Sequence, residues 1–481
     1  MKLREVSRLL GAPVSLGNLY DLEIERVVTS SLEASANSLF FARDGARHLA
    51  KDTVCDAVAR GCRAILCESN LPEMENVYIF PSKRAGKIAK ALEEHLYFEV
   101  LKDMHFIFVT GTKGKTTTAR MVAQILNRSG EPCASSGTLG FAFEDIRYSL
   151  ENTTPDIYTL LPYMARAKEK GARYCVLEVS SQALAHGRID GIRGEYGIFT
   201  GISPDHIDAR EHESFFDYRE AKRRLFCDFG IKYAFAPRSI SLAPFMTAGV
   251  EKEYFVDTKA PSDLTLYVKE MSKSDISYTD GLHDSTLPLC GEFHLQNAAL
   301  ALLCCSKILS VPPHSLYPLL SDFTIEGRGE LLTLCDREIL IDYAHNAESV
   351  EALARCYRPF IKGRMIALSG SVGDKALSRR RDLARALEQA FDFVVLTEDD
   401  TTVERREEIL EELLSYFTSK ERVGAIADRP SAIEYALQIS KEGDMIFLLG
   451  KGHEHFLHRN GERISLNERE IIESYFLKNT E

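Results

Sequence analysis

A glycine-rich segment, Val-Thr-Gly-Thr-Lys-Gly-Lys-Thr-Thr at residues 109–117, lies between an apolar stretch and a helical pattern. Glycines allow a tight turn whose N–H groups converge, with the next helix N-terminus, on a phosphate chain. Lys115 can reach the β- and γ-phosphates, and the Thr116 hydroxyl can bind Mg²⁺. Val109 stands in place of the first glycine of the general phosphate-loop pattern. We predict that a phosphate chain is bound by Gly111, Thr112, Lys113, Gly114, Lys115, Thr116 and Thr117.

One carboxylate could complete a metal site beside this loop. Glu178 ends the apolar segment Tyr-Cys-Val-Leu-Glu, which is typical of a buried strand. There it would bind a hard cation such as Mg²⁺, together with Thr116 and phosphate oxygens. The alternative is a solvated acid at the end of a strand.

The elements that must position these groups alternate between strands and helices. Strand patterns at residues 105–110, 174–181 and 196–203 alternate with helical patterns at 156–171 and 215–226. Such alternation is typical of a mostly parallel, doubly wound sheet.

Two further units flank this central one. Residues 1–100 combine short strands with amphipathic helices. From about residue 326, four more strands each end in a polar or Gly-rich turn, which predicts ligand groups at the carboxyl edge of a second parallel sheet: residues 338–344, 364–371, 391–399 and 444–452. We predict an α/β fold of three domains, at 1–100, 101–325 and 326–481.

Composition limits the classes of function. The chain of 481 residues has 59 Lys and Arg against 71 Asp and Glu, a net charge of −12. This acidic balance, without a basic block, argues against binding to nucleic acid or a membrane surface. The sequence has neither a long apolar span nor a signal-peptide pattern. We expect a cytoplasmic monomer whose cysteines are reduced.

The loop resembles the ATP loop of the Mur ligases, the enzymes that build the peptidoglycan stem peptide. Seven further motifs follow in the family's order: Asn152-Thr153-Thr154-Pro155, Leu177-Glu178-Val179-Ser180-Ser181, Ser203-Pro204-Asp205-His206, Ala221-Lys222-Arg223, Gly327-Arg328-Gly329-Glu330, Asp342-Tyr343-Ala344-His345-Asn346 and Gly450-Lys451-Gly452-His453-Glu454. The resemblance is strongest to the members that add the third residue of the stem peptide. It implies a central phosphate-loop sheet between an N-terminal uridine-binding domain and a Rossmann-like, amino-acid-binding C-terminal domain.

The resemblance also implies the reaction. A carboxylate of a UDP-N-acetylmuramoyl dipeptide attacks the γ-phosphate of ATP, and the amine of a free amino acid displaces phosphate from the acyl phosphate. Metal ions and cationic side chains must offset the repulsion between these anions. The implied cofactors are ATP and Mg²⁺.

Several residues take roles from the family. His206 would bind a second metal ion, and so would Lys222, which many members carry as a carbamate. A base on a solvated helix face is the alternative for Lys222. The ATP side would include Asn297, Arg328, Asp342 and His345. The nucleotide sugar would be held by Ser31, Thr153, Thr154, Ser180, His186 and Arg188.

The third domain would select the amino acid. Members that add meso-diaminopimelate usually read Asp-Asn-Pro-Arg, whose arginine grips the distal carboxylate, and Thr402 stands at the arginine's place here. We therefore predict L-lysine, with meso-diaminopimelate, ornithine or another amino acid as alternatives. Arg380 would hold the α-carboxylate. The side-chain amine would lie in an acidic pocket formed by Asp399, Asp400 and Glu454, near Gly450.

Two other functions compete with this one. Folylpolyglutamate synthase shares the loop but lacks such an N-terminal domain. A regulatory nucleotide-binding protein without catalysis is the other, although Lys115, Thr116, Glu178, His206 and Lys222 are all present.

Overall fold

The structure is a computed structural model that describes residues 1–9, 19–42, 50–96, 102–150, 152–203, 212–373, 377–402, 404–459 and 462–479. Among these residues, no helix is long and apolar enough to cross a membrane. The chain forms three main parallel or mixed sheets with helices packed against them. An α/β fold is therefore confirmed.

The first sheet is parallel and has four strands in sequence order. They are Arg26–Val28, Ser38–Ala42, Ala64–Cys67 and Tyr78–Pro81. Its helices are Leu3–Leu9, Ala50–Ala59 and Ala85–Leu96. The last three strands are nearly continuous apolar runs because both faces of the sheet are covered.

The central sheet has nine strands among the described residues, and the strand before the phosphate loop is in its middle. Across the sheet the strands are Leu264–Thr265, Lys252–Asp257, Tyr233–Pro237, Tyr196–Phe199, His105–Thr110, Tyr174–Glu178, Cys133–Gly137, Gly140–Phe143 and Ile146–Tyr148. Its helices are Lys115–Arg128, Ile157–Glu169, Ser181–Ala185, Phe215–Asp228, Ala243–Thr247 and Glu292–Leu309. Only the pairings of the last three strands with one another are antiparallel.

A small antiparallel sheet follows, with strands Tyr267–Met271, Ile276–Thr279 and Asp284–Leu287. A 3₁₀ helix, Pro313–Leu320, packs against its last strand. Tyr278 and Tyr317 meet edge to face there and join this sheet to the central core.

In the part of the chain that the structure describes, the third sheet has six strands, and only the first of them pairs antiparallel. In spatial order they are Glu330–Leu334, Arg337–Asp342, Met445–Leu449, Met365–Ser369, Phe393–Leu396 and Val423–Ala425. Its helices are Ala347–Tyr357, Leu377–Ala390, Arg406–Ser415, Arg429–Ile439 and Glu468–Asn479, and a hairpin joins Phe456–Arg459 to Glu462–Ser465. The four predicted strands are neighbours, so their carboxyl ends share one edge.

Candidate active site

The phosphate loop joins the strand His105–Thr110 to the helix Lys115–Arg128. Gly111 has φ +153° and Gly114 has φ +82°. A Cβ at Gly111 would lie 2.0 Å from Oγ1 of Thr200, and one at Gly114 would lie 2.5 Å from Oδ1 of Asn297. Both positions therefore need glycine, and the predicted Asn297 lies directly against the loop.

Two ammonium groups converge on this loop. Nζ of Lys115 donates to the carbonyls of Gly111 and Thr112, at 3.0 and 3.2 Å. Nζ of Lys222 donates to the same Gly111 carbonyl at 2.9 Å. The Lys222 side chain is only 1% exposed, so a solvated helix face is excluded. The loop thus brings two lysine side chains to the N-terminus of a helix, an arrangement suited to an anionic ligand.

Glu178 and Thr116 form an oxygen pair beside these cations. Oγ1 of Thr116 donates to Oε2 of Glu178 at 2.7 Å, and the Thr138 N–H donates to Oε1 at 2.9 Å. Glu178 is 3% exposed, so it is not a solvated acid. Burial raises the pKa of Glu178, against the opposing effects of the Thr116 hydrogen bond and the Lys115 charge. A hydroxyl and a carboxylate at this spacing are hard donors that fit Mg²⁺.

The predicted sugar-binding residues cluster at the end of the Glu178 strand. Oγ1 of Thr154 donates to the Glu178 carbonyl and accepts the Ser180 N–H, both at 2.9 Å. Ser180 caps the helix Ser181–Ala185, and Nη1 of Arg188 donates to the Thr154 carbonyl at 3.1 Å. These hydroxyls therefore also position the strand end that carries Glu178.

Three other predicted substrate residues have different placements, and one predicted metal residue is not described. The Thr153 hydroxyl contacts that of Thr138 at 3.1 Å, which puts it beside Glu178. His186 caps the C-terminus of the helix that Ser180 begins. Ser31 begins a 3₁₀ helix in the first sheet unit. His206 lies outside the described residues.

The predicted ATP-side residues of the third unit surround Asp342. Its carboxylate accepts the N–H groups of Gly329 and Ala344, both at 2.8 Å, and burial raises its pKa. The Arg328 guanidinium lies 4.3 Å from the centre of the Tyr343 ring, and its Nε is buried without a hydrogen-bond partner. Nδ1 of His345 contacts the Tyr343 carbonyl at 2.8 Å. Arg328 therefore has a buried donor without a protein partner next to Tyr343.

The predicted amino-acid site contains an internal cation. The carboxylates of Asp399, Asp400 and Glu454 do come together, but around Nζ of Lys451, at 3.5, 2.8 and 2.6 Å. Arg380 is 3% exposed and already paired with Glu404 and Glu412. These two ion pairs use Nη1 and Nη2 of Arg380, and its Nε is buried without a hydrogen-bond partner.

Two parts of the chain match family models. Residues 109–305 match the Mur ligase middle domain, and residues 327–452 match the Mur ligase, glutamate ligase domain. A UDP-N-acetylmuramoyl-L-alanyl-D-glutamate--2,6-diaminopimelate ligase from Pseudomonas aeruginosa is 30% identical over 489 residues, covering 96% of this chain and 98% of the relative. The chain belongs to the Mur ligase family.

Solved structures share the fold of this Mur ligase. A UDP-N-acetylmuramoyl-L-alanyl-D-glutamate--2,6-diaminopimelate ligase superposes with a TM-score of 0.62 at 23% identity, covering 99% of both chains. A Mycobacterium tuberculosis folylpolyglutamate synthase complexed with ADP gives 0.60 at 18% identity, covering 74% of this chain and 90% of its own. This chain thus has the fold of these solved structures.

The candidate site lies between the central and third sheets. Oγ of Ser203 donates to Oε2 of Glu348 at 2.7 Å, which links the two units next to the loop. The Arg328 charge acts on both Glu178 and Asp342. The site therefore holds a phosphate-binding loop, a metal-type oxygen pair and a guanidinium from the other unit.

Sequence reasoning missed two residues of this Mur ligase site. Lys451 lies in the quoted Gly-Lys-Gly-His-Glu motif, and its position between two glycines after a buried strand was the available signal. His212 is buried, and its Nε2 contacts the Ser181 hydroxyl at 2.9 Å. No spacing in the sequence indicates that pairing, because Ser181 is distant in the chain.

Proposed function

We propose that this Mur ligase joins a free amino acid to UDP-N-acetylmuramoyl-L-alanyl-D-glutamate, as the third residue of the stem peptide, at the expense of ATP. The observation that carries the proposal is the oxygen pair of Thr116 and Glu178 next to the ammonium group of Lys115, at a loop that the Lys222 nitrogen also contacts. The name of the Pseudomonas aeruginosa relative supports the substrate. Both ATP and a nucleotide sugar are cytoplasmic metabolites, so we place the reaction in the cytoplasm.

The proposed reaction has two steps. A carboxylate oxygen of the dipeptide attacks the γ-phosphorus, the bond to the β-phosphate oxygen breaks, and ADP leaves. The amino-acid amine then attacks the acyl carbon, and phosphate leaves with the former carboxylate oxygen while the amine loses a proton. Each step brings anions together, which positive groups fixed in advance stabilise most effectively.

We propose the following binding roles for residues of this chain. Lys115 would bind the β- and γ-phosphates, and Arg328 would reach them from the third unit. Thr116 and Glu178 would hold one Mg²⁺, whose charge would offset that of the phosphates. His206 and a carbamate of Lys222 would hold the second ion. The Lys222 hydrogen bond to Gly111 is compatible with a carbamate, because the modified nitrogen keeps one N–H.

Folylpolyglutamate synthase remains the main alternative. The coverage of this chain favours the peptidoglycan reaction, since the folylpolyglutamate synthase leaves about a quarter of it unmatched and the diaminopimelate ligase almost none. The four-stranded N-terminal sheet gives the proposed reaction a place for the uridine end, near Ser31.

For the amino acid we propose L-lysine. Thr402 offers no guanidinium to a distal carboxylate, and leaving that carboxylate unpaired would cost about 1–3 kcal/mol. The three carboxylates around Lys451 retain net negative charge, which suits a terminal ammonium. The names of the relatives favour meso-diaminopimelate instead, so this choice needs a direct comparison.

The test follows phosphate release from ATP while the substrates are varied. We expect release only when the UDP-sugar dipeptide and an amino acid are both present, and a mass increase of the dipeptide to a tripeptide. Release without the dipeptide, or with a folate in its place, would contradict the proposal. Offering L-lysine, ornithine and meso-diaminopimelate separately tests the amino acid. A tenfold higher kcat/KM for meso-diaminopimelate would exclude lysine and leave the reaction class intact.

A further inference from the structure

Lys451 is a fully buried ammonium group within three carboxylates. It follows the strand Met445–Leu449, its side chain is 0% exposed, and its closest oxygen is Oε2 of Glu454 at 2.6 Å. Oδ1 of Asp400 lies at 2.8 Å and Oδ1 of Asp399 at 3.5 Å. Burial alone would lower the pKa of Lys451, but the three carboxylates outweigh it and raise that pKa. The side chain therefore stays charged.

Lys451 links loops that are not adjacent in the sheet. Asp399 and Asp400 follow the strand Phe393–Leu396, and the strand Met365–Ser369 lies between it and the Lys451 strand. Arg429 also joins these loops, but it donates to the backbone carbonyls of Glu398 and Leu449, at 3.2 and 2.8 Å, whereas Lys451 contacts the carboxylates themselves. The ammonium thus fixes how far apart the acidic groups of the predicted amino-acid site lie.

Other contacts orient the same carboxylates. The Asp400 carboxylate also accepts the His458 N–H at 2.9 Å, and the Asp399 carboxylate accepts the Asp400 N–H at 2.7 Å. A Cβ at Gly450 would lie 2.9 Å from Oδ2 of Asp399, so the loop packs closely on this group. The Tyr343 hydroxyl reaches Glu454 at 3.4 Å. Each carboxylate is therefore held by at least one contact besides that with Lys451.

Charge counting shows what such a site can accept. Three carboxylates and one ammonium sum to −2, which one additional ammonium reduces to −1. A side chain that carries both an ammonium and a carboxylate leaves the sum at −2 and brings a new anion close to the existing ones. Opposite charges this close, in a buried site, interact strongly.

We propose that Lys451 is a positioning and specificity-determining residue of the amino-acid site, which holds Asp399, Asp400 and Glu454 in place to receive a single substrate ammonium. The inference rests on the proposed function and deepens it. Lys451 acts through the carboxylates and does not contact the reacting atoms. A competing role is that of a placeholder, which the substrate amine displaces.

The test compares Lys451→Met with the wild type. We expect the KM of the amino acid to rise at least tenfold, while the KM values of ATP and of the dipeptide change less than twofold. In Lys451→Met the carboxylates have no counter-ion, so they take up protons near neutral pH and bind the substrate ammonium less well. The amino-acid KM of this variant should therefore fall as the pH rises from 6 to 9 and the carboxylates lose these protons. Lys451→Arg should restore part of the affinity, and added propylammonium should do so for Lys451→Ala.

Two controls separate the outcomes. Lys362→Met removes an exposed lysine that precedes the strand Met365–Ser369, at the opposite edge of the same sheet, and should leave every KM unchanged. If Lys451→Met does not fold, the double variant Lys451→Met/Asp400→Asn is assayed in its place, because it also removes one of the three negative charges. An amino-acid KM that is unchanged overturns the inference, and a lower KM shows the placeholder role instead. A wild type that ligates no amino acid overturns the proposed function.

If the wild type ligates no amino acid, the positioning role of Lys451 can still be tested through protein stability. Urea unfolding of Lys451→Met should then lose stability between pH 5 and 8 relative to Lys451→Arg, because uncompensated carboxylates ionise in the folded state. If the free energy of unfolding of the two variants depends on pH in the same way, Lys451 does not hold the three carboxylates in place, and this conclusion needs no ligation assay.

Discussion

At the scale of single residues, burial decides what the charged groups of this site can do. Lys222 and Glu178 are almost completely removed from water, and both keep polar partners at the phosphate loop. Burying a charge without compensation is strongly unfavourable, so such groups depend on every nearby dipole and ion. Added phosphates and cations therefore act on them more strongly than on surface charges.

Lys222→Ala should reduce ligation at least about a hundredfold, the scale of one lost group that stabilises charge in the transition state. If a carbamate of Lys222 holds a metal ion, a short carboxylic acid such as acetate should restore part of the activity. ¹³C NMR of enzyme kept in ¹³C-bicarbonate should show a carbamate carbon that the variant lacks. Arg223→Ala, on the exposed side of the same helix, serves as the control. Near-native turnover in Lys222→Ala would contradict this role.

Residues of the site are predictable from the sequence only where one segment carries the chemistry. Lys115 and Thr116 follow from the glycine spacing, and Glu178 follows from its place at the end of an apolar strand. Lys451 could not be assigned, because its environment comes from two loops that only the folded sheet brings together. The acidic pocket was predicted as a set of residues, but its internal cation was not.

At the scale of elements, the site depends on how strands end and helices begin. The strand His105–Thr110 is in the middle of the sheet and is followed by a turn with two positive φ angles. Long apolar runs with Gly-rich ends made these elements predictable. The strand Arg26–Val28 is too short to give a pattern, and Tyr267–Met271 has mostly exposed or half-exposed residues, so its alternation is weak. Neither was predicted.

Two glycines at the ends of one helix allow a matched comparison. Gly114 has φ +82° and an added Cβ would meet Asn297, whereas Gly130 has φ +80° and no atom within 4 Å. Both alanine variants should lose about 1 kcal/mol through backbone strain. Only Gly114→Ala should also weaken ADP binding, by tenfold or more, in a calorimetric titration. Equal ADP affinity in the two variants would show that contact with Asn297 does not shape the loop.

At the scale of the whole molecule, the sheets meet around groups that must stay neutral. His294, on the long helix Glu292–Leu309, has its pKa lowered to about 3 by burial and by the Arg328 charge. His453, on the third unit, has its pKa lowered to about 3 mainly by burial. Both rings must therefore gain a proton when the protein unfolds in mild acid, which couples the junction of the units to pH.

Stability should fall as pH drops from about 6.5 toward 3, because unfolded histidine binds a proton that buried His294 does not. His294 alone should make the free energy of unfolding about 2 kcal/mol lower at pH 5 than at pH 7.5. In urea unfolding, the free energy of unfolding of His294→Asn should differ less between the two pH values than that of the wild type, by the same amount. His105→Asn, at a half-exposed ring, should behave like the wild type. An unchanged slope in His294→Asn would mean that the ring is charged in the folded protein.

In the reaction that we propose, a carboxylate of the UDP-sugar dipeptide is activated as an acyl phosphate at the loop that contains Lys115. The most direct measurement uses dipeptide whose acceptor carboxylate carries ¹⁸O in both positions, with unlabelled ATP and an amino acid. We predict that every phosphate released contains one ¹⁸O, detected by ³¹P NMR or mass spectrometry, because the bridging oxygen leaves with phosphorus. Phosphate without ¹⁸O, released at the rate of ligation, would show that the dipeptide carboxylate does not form an acyl phosphate.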